Sequence, residues 1–447
     1  MLVYIIGITG FCLAMFQQLR NHIRRVEDPI GLVAIGWGLF LLYLVPVSIG
    51  GDGSFRFNAL RELLTSGSVS STRYSLIGPL FSVPLYLIGE RIGDPRWWAE
   101  EYNFLVFGLG IIAFYFLLRR SLQRKTLHAF LLLLIFGSMF PHHVQHYYGE
   151  VFTAVLVGVG VTAAIVRQKS WGWLMMIIGV ANTPASLIGA LFVSLGRMMQ
   201  RKRWQYIIIF FLSIGFILME AWVRRGNPLV SGYEGNHGVT MFTPYSGRPG
   251  FSYPLFFGLL SLIFSFGKGL LFFTPGLFLE LPKQIRLPRQ LWECYLLWIV
   301  FLVGILLVYA RWWAWSGALF WGPRFLLFAC IPASFVLALR VHNAKASVFN
   351  DVVTCVALFL SFWVGLNGIV YGEYDVGICA RDNWYWEPVC WYVPEFSVLW
   401  RPFVVPHALS SLNYLFFASW CCVMLYVMWP LFVRCSFRVQ KLNVRAM

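Results

Sequence analysis

Long apolar blocks dominate this chain and limit what it can fold into. Many run about 17–25 residues, the length a helix needs to cross a hydrocarbon core of roughly 30 Å. They are continuous blocks and not amphipathic stripes, and the short alternating segments of a closed barrel are absent. With 59% hydrophobic and 12% charged residues in 447, a soluble domain has no way to hide this much apolar surface. The expected fold is therefore all-α, a polytopic transmembrane bundle of about 11–13 helices.

The predicted spans are 2–19, 30–49, 104–118, 127–140, 151–166, 204–222, 256–281, 291–310, 325–339, 352–370 and 412–433. Segment 2–19 lacks the charged leader and small-residue cleavage site of a signal peptide and is read as a span. Between 166 and 204, Asn182, Thr183 and Pro184 interrupt an apolar stretch, which predicts a hairpin of two shorter helices, 171–181 and 185–195. Segment 75–90 carries Pro79 and Pro84 and is expected as a helix on the outer surface, with a re-entrant segment as the alternative. The whole of 1–447 reads as one domain with outer loops at 50–101, 224–255, 311–324 and 371–411. No internal repeat or low-complexity segment is visible.

Charge gives the orientation. Basic clusters follow alternate spans, at Arg20, Arg24 and Arg25, at Arg119 to Lys125, at Arg197 to Arg203, at Arg340 and Lys345, and at Arg434 to Arg445. The positive-inside rule makes that side cytoplasmic. The net charge of +16 is then mostly a topology signal, and no concentrated basic domain points to nucleic acid. Most of the 19 Asp and Glu residues fall on the other side, so the chemistry is expected on the outer face of a prokaryotic cytoplasmic (inner) membrane.

Four stretches carry candidate chemistry. In GGDGSFRF, glycines surround Asp52 where a span ends, leaving an accessible carboxylate that fits either a general base or a helix N-cap. Arg56, downstream, fits a phosphate contact or an ion pair. In PHHVQHYYGEVF, Glu150 opens a span, as a sugar contact or as a cap, and His146 and Tyr148 fit the lining of a substrate groove. His142 and His146 are spaced for a metal pair, a weak candidacy; a divalent metal is possible and no cofactor is certain. In FSFGKGLL, Lys268 fits a lipid-phosphate contact or a snorkelling interfacial lysine. In ARWWAWSGALFWGPRF, Arg311 and Arg324 bracket a Trp-rich loop. Its tryptophans, Trp315 among them, fit an aromatic belt or a stacking surface for sugar. Arg324 at a helix start fits a phosphate clamp. Cys379 and Cys390 share the last outer loop, where an oxidising exterior permits a disulfide. No Walker A loop, dinucleotide fingerprint or nucleophile elbow is present.

Taken in order, several of these blocks resemble the GT-C superfamily of membrane glycosyltransferases, closest to the bacterial branch related to protein mannosyltransferases and aminoarabinose transferases. The resemblance rests on GGDG with ALRELLTSGS, then YSLIGPLFSVPLYLIG, YYGEVFTAVL, GNPLVSGY, GKGLLFFTPGLFLELP and WSGALFWGPRFLL, and spans most of residues 30–340. Many members carry two adjacent acids in the first outer loop; here Gly53 follows Asp52, which leaves Glu150 as the candidate second acid. The span at 2–19 ahead of that loop is a further departure. The resemblance implies a polyprenyl-phosphate sugar donor and a glycan, lipid or protein acceptor. It implies inversion at the anomeric carbon, Asp52 as base, and Arg324 and Lys268 as cations facing the phosphate. Two other classes stay open: a lipid-linked sugar flippase or transporter, which wants charge deep in the spans, and a membrane O-acyltransferase, for which the HHVQH run offers the histidine.

Overall fold

A computed structural model describes residues 29–282 and 285–446; the predicted span 2–19 lies outside them. The described chain is helical, and its extended pairing is limited to isolated bridges such as Ser48 with His146. In order, the helices used below are α1 (Pro29–Tyr43), α2 (Asp52–Ser66), α3 (Val83–Ile92), α4 (Pro95–Leu118), α5 (Arg124–Phe136), α6 (Gly149–Val166) and α7 (Trp171–Asn182). They continue as α8 (Leu187–Arg201), α9 (Trp204–Arg225), α10 (Leu255–Phe264), α11 (Arg289–Arg311), α12 (Arg324–Val341), α13 (Val348–Val370) and α14 (Ser411–Ala446).

Seven of these are long and apolar enough to cross a membrane: α4, α6, α9, α11, α12, α13 and the Ser411–Ser436 part of α14. The chain is a multi-pass integral membrane protein. Helices α6 and α12 are almost wholly buried and form the centre of the bundle, whereas α9 lies at its rim, where Ile209 and Ala221 alone of its apolar side chains are buried. Without a hydrophobic drive between helices in lipid, close packing depends on small side chains. The contact of α6 with α7 shows this. Gly160 and Gly172 face each other so closely that a side chain on either would strike the other's backbone carbonyl.

Three predicted spans differ from the structure. Segment 256–281 is no single helix: α10 ends at Phe264, and two short turns, Leu270–Phe273 and Pro275–Phe278, follow. Two glycines around a buried lysine and a proline break the helical ladder there. Helix α1 ends at Tyr43, before Pro46, and the chain then runs irregularly towards Gly51, with the Ser48 amide donating to the Gln145 carbonyl at 2.9 Å. Helix α5 stops at Phe136, ahead of Gly137. The expected hairpin is present as α7 and α8, parted at Thr183–Pro184. Segment 75–90 forms a short turn at Ile77–Leu80 and then α3.

Buried ion pairs fasten the end of the bundle remote from Asp52. Asp351 on α13 accepts from Arg434 and Arg438 of α14, each at 2.8 Å. Glu293 on α11 accepts from Arg197 of α8 at 2.7 Å and from Arg289 at 2.9 Å.

Candidate active site

The site is built where the start of α2, the start of α6 and the start of α12 converge. Gly51 takes φ 50°, a left-handed value that costs glycine nothing, and this turn puts Asp52 at the first position of α2. A side chain at Gly51 would also press on the Phe320 ring. One carboxylate oxygen of Asp52 accepts from Arg324 Nη2 at 2.6 Å, and the other accepts from the Tyr74 hydroxyl at 2.6 Å. The Tyr74 oxygen in turn accepts from Arg73 Nη2 at 3.0 Å.

Arg324 ties the two acids together. Its Nη1 lies 3.9 Å from Glu150 Oε1, in the first turn of α6. The guanidinium is layered among rings, with its carbon 4.0 Å from the Phe320 centroid, 4.8 Å from Phe325 and 5.2 Å from Tyr148. Nε and Nη1 of Arg324 are buried and without hydrogen-bond partners. A planar guanidinium with two nitrogens that make no hydrogen bond, one of them facing Glu150 at ion-pair distance, has donors left for a second anion.

Arg56, one turn along α2 from Asp52, donates to the Ser75 carbonyl at 3.1 Å and lies 5.4 Å from the Tyr74 ring centroid. Its Nε is also buried and unpartnered. Arg56, Arg73 and Arg324 stand around Asp52, with Glu150 beside Arg324, and the Glu373 carboxylate also acts on Arg324 and Tyr148.

Burial opposes ionisation of Asp52, but the Arg324 charge, the Tyr74 hydrogen bond and Arg56 outweigh it and hold the carboxyl below its ordinary value. Tyr74 moves the other way: burial, and then the adjacent Asp52 charge, keep its phenol protonated well above its ordinary value. Burial, with the charge of Arg324, pushes His146 down to about 4, so it is a neutral imidazole at physiological pH.

The histidines form a layer behind Tyr148. His146 stacks on Tyr148 with centroids 5.1 Å apart and lies 4.9 Å from the His142 ring. The His142 Nδ1 and the Gly368 carbonyl are 2.9 Å apart, and the His142 ring packs on Trp321. Among the described residues, no group of three or more His, Cys, Asp or Glu gathers in a way that could hold a metal ion.

Of the residues singled out in the sequence, Asp52, Arg56, Tyr148, Glu150 and Arg324 come together, with His146 one layer behind. Lys268, Arg311 and Trp315 stand elsewhere. Lys268 is 4% exposed, and its ammonium donates to the carbonyl oxygens of Ala318, Phe320 and Gly322. Arg311, at the end of α11, is exposed and donates to the Phe251 carbonyl at 3.0 Å. Trp315 is buried against Tyr253 and Trp391, inside the packing and not on a surface. Cys379 and Cys390 are disulfide-bonded. Sequence reasoning missed Tyr74, Arg73 as its neighbour, and Phe320; nothing in their spacing from Asp52 signals a shared site.

Comparison of the chain with protein-family models, with curated proteins and with solved structures gave no match.

Proposed function

We propose that this protein transfers a sugar from a polyprenyl-phosphate donor to an acceptor hydroxyl on the extracytoplasmic side of the membrane, with inversion at the anomeric carbon. The observation that carries the reading is the Asp52–Arg324 pair: a partly exposed carboxylate kept ionised by a buried guanidinium that still has donors without hydrogen bonds. The ordered resemblance to GT-C glycosyltransferases supports it, as does the concentration of basic residues at the end of the bundle remote from Asp52.

In the proposed reaction the site opens so that the donor phosphate reaches the buried Nε–Nη1 edge of Arg324, and it competes with Asp52 for the arginine's charge. That competition frees Asp52 and makes it a stronger base as the donor arrives. The acceptor hydroxyl gives its proton to Asp52 while its oxygen attacks the anomeric carbon. The bond from that carbon to the phosphate oxygen breaks, and polyprenyl phosphate leaves with the electron pair. The phosphate is a weak base, so cations matter more to its departure than a general acid does. Glu150, held by the same guanidinium, is placed for a hydroxyl of the sugar.

The test is transfer of radiolabelled sugar from a panel of polyprenyl-phosphate sugars into membrane acceptors by purified wild type and Asp52→Asn. Transfer that falls on the order of 10²-fold or more in a folded Asp52→Asn protein is expected. Equal transfer by the two proteins would overturn the role of Asp52. Movement of labelled lipid across liposomes without transfer would make the site part of a transport path.

A further inference from the structure

The loop 311–324 between α11 and α12 carries Phe320 and delivers Arg324, yet it has no regular structure to hold it. It passes through left-handed backbone at Gly317, Ala318 and Gly322, with φ of 70°, 63° and 64°. Those turns aim the carbonyls of Ala318, Phe320 and Gly322 at one point, and Lys268 occupies it. An ammonium has three protons, and here all three are taken by the loop. Lys268 therefore has none left for a lipid phosphate.

The lysine itself is braced from the far side. The Gly267 amide donates to the Trp391 carbonyl at 3.0 Å, next to Cys390 of the disulfide-closed loop. Glu387, in that loop, is 4% exposed, and its charge, with that of Glu373, favours the protonated lysine against the cost of burial. A second strand of support reaches the loop through Trp321, whose amide donates to Glu373 at 3.0 Å and whose indole donates to Asn367 at 2.8 Å. Beyond it, the Phe320 ring packs at 4.0 Å on the guanidinium that holds Asp52.

We propose that Lys268 is a positioning residue, which gathers the loop carbonyls so that Phe320 and Arg324 are pressed against Asp52. As a role in sugar transfer this rests on the reading above; as a role in holding Arg324 it does not.

Two measurements on Lys268→Met and Lys268→Arg test it, with the thermal unfolding midpoint of each protein checked first. Chemical labelling of Arg324 by phenylglyoxal, read by peptide mass spectrometry, needs no substrate. Labelling is expected to rise about tenfold or more in Lys268→Met, the factor for losing one charge-assisted hydrogen bond from the closed loop. It is expected to return towards wild type in Lys268→Arg. Unchanged labelling in a folded Lys268→Met protein would overturn the proposal whether or not any sugar is transferred. If Lys268→Arg does not fold, replacing Cys379 and Cys390 together by serine is the second variant, expected to raise Arg324 labelling in the same direction.

The second measurement is the acid limb of the transfer rate. Asp52 is faced by Arg324 and Glu150 from α12 and α6, by Arg56 from its own helix, and by Arg73, Tyr74, Tyr148 and Tyr233 from the loops. Displacing Arg324 removes the strongest charge keeping Asp52 ionised, so the limb should move to higher pH in Lys268→Met. A loss of rate with the limb unmoved would assign Lys268 to stability alone and overturn the positioning role.

Discussion

Two carboxylates at opposite ends of this bundle are each gripped by arginine, and only one of them is left open. Asp351 has a side chain 1% exposed and takes Arg434 and Arg438 from α14. The guanidinium of Arg434 has its other contacts filled by the Val341 and Arg340 carbonyls, and Arg438 reaches the Ala346 carbonyl. Asp52 is 21% exposed at its side chain, and its arginine keeps two nitrogens without a hydrogen bond, one of them 3.9 Å from Glu150. The chemistry of the pairs is the same. What differs is saturation: a closed network fastens helices, while an unsaturated one next to solvent can exchange partners.

The sharpest way to break this comparison is to neutralise both acids in the same fashion. Asp52→Asn should cost on the order of 10²-fold or more in transfer rate per folded molecule, and stability as well, because it strands Arg324, whose side chain is 5% exposed. Asp351→Asn should cost stability and leave the rate per folded molecule unchanged. It strands two arginines whose side chains are 14% and 29% exposed. That partial exposure discounts the usual penalty for orphaning a buried ion to about 2–3 kcal/mol. Thermal unfolding in detergent, together with transfer per folded molecule, separates the two. If Asp351→Asn lost rate and kept its stability, saturation would not be what divides a strut from a site.

Arg324→Lys probes the open network more finely. A lysine keeps the charge but cannot touch Asp52 and Glu150 at once, nor stack flat among Phe320, Phe325 and Tyr148. A rate loss on the order of tenfold is expected, with a weaker hold on the donor phosphate. The same exchange at Arg434 should register in stability instead. Steady-state kinetics and unfolding of the two variants make the check.

How far the sequence foretold these regions follows from the range over which each signal acts. Apolar block length is local, so α6, α9, α11, α12 and α13 were legible to within a few residues, while α4 begins nine residues ahead of its expected start. The hairpin of α7 and α8 was legible because Asn182, Thr183 and Pro184 announce its break. Segment 256–281 was not, because Lys268 between two glycines reads as a tolerable flaw in an apolar run until its carbonyl partners, 50 or more residues away, are known. At the site, Asp52, Glu150 and Arg324 each stand at a helix start next to Gly or Pro, a local mark that charge at a span end tends to leave. Tyr74 has no such mark. It sits in the polar stretch SSTRYS and joins Asp52 only through the fold, across 22 residues. Trp315 misled for the opposite reason: tryptophan at a span end ordinarily faces the interface, and here the loop turns it into the packing against Trp391.

The smallest expected effect tests whether the open pair is tuned as well as open. Because Asp52 is held below its ordinary value, 3.8, in the free protein, the fall of kcat/KM on acidification should lie below that pH. The stability it contributes should be complete above the unfolded value and be lost as pH falls through the folded one. Tyr74→Phe deletes one of the two hydrogen bonds that stabilise the ionised form and leaves Arg324 in place. The Arg324 charge still dominates, so the acid limb should move up only slightly. Stability near neutral pH should fall by about 1 kcal/mol, and the rate by no more than a few-fold. A pH–rate profile and urea or thermal unfolding at several pH values read both quantities. A downward shift of the limb would mean that Tyr74 restrains the carboxylate and does not sustain its charge, leaving Arg324 and Arg56 to keep Asp52 ionised.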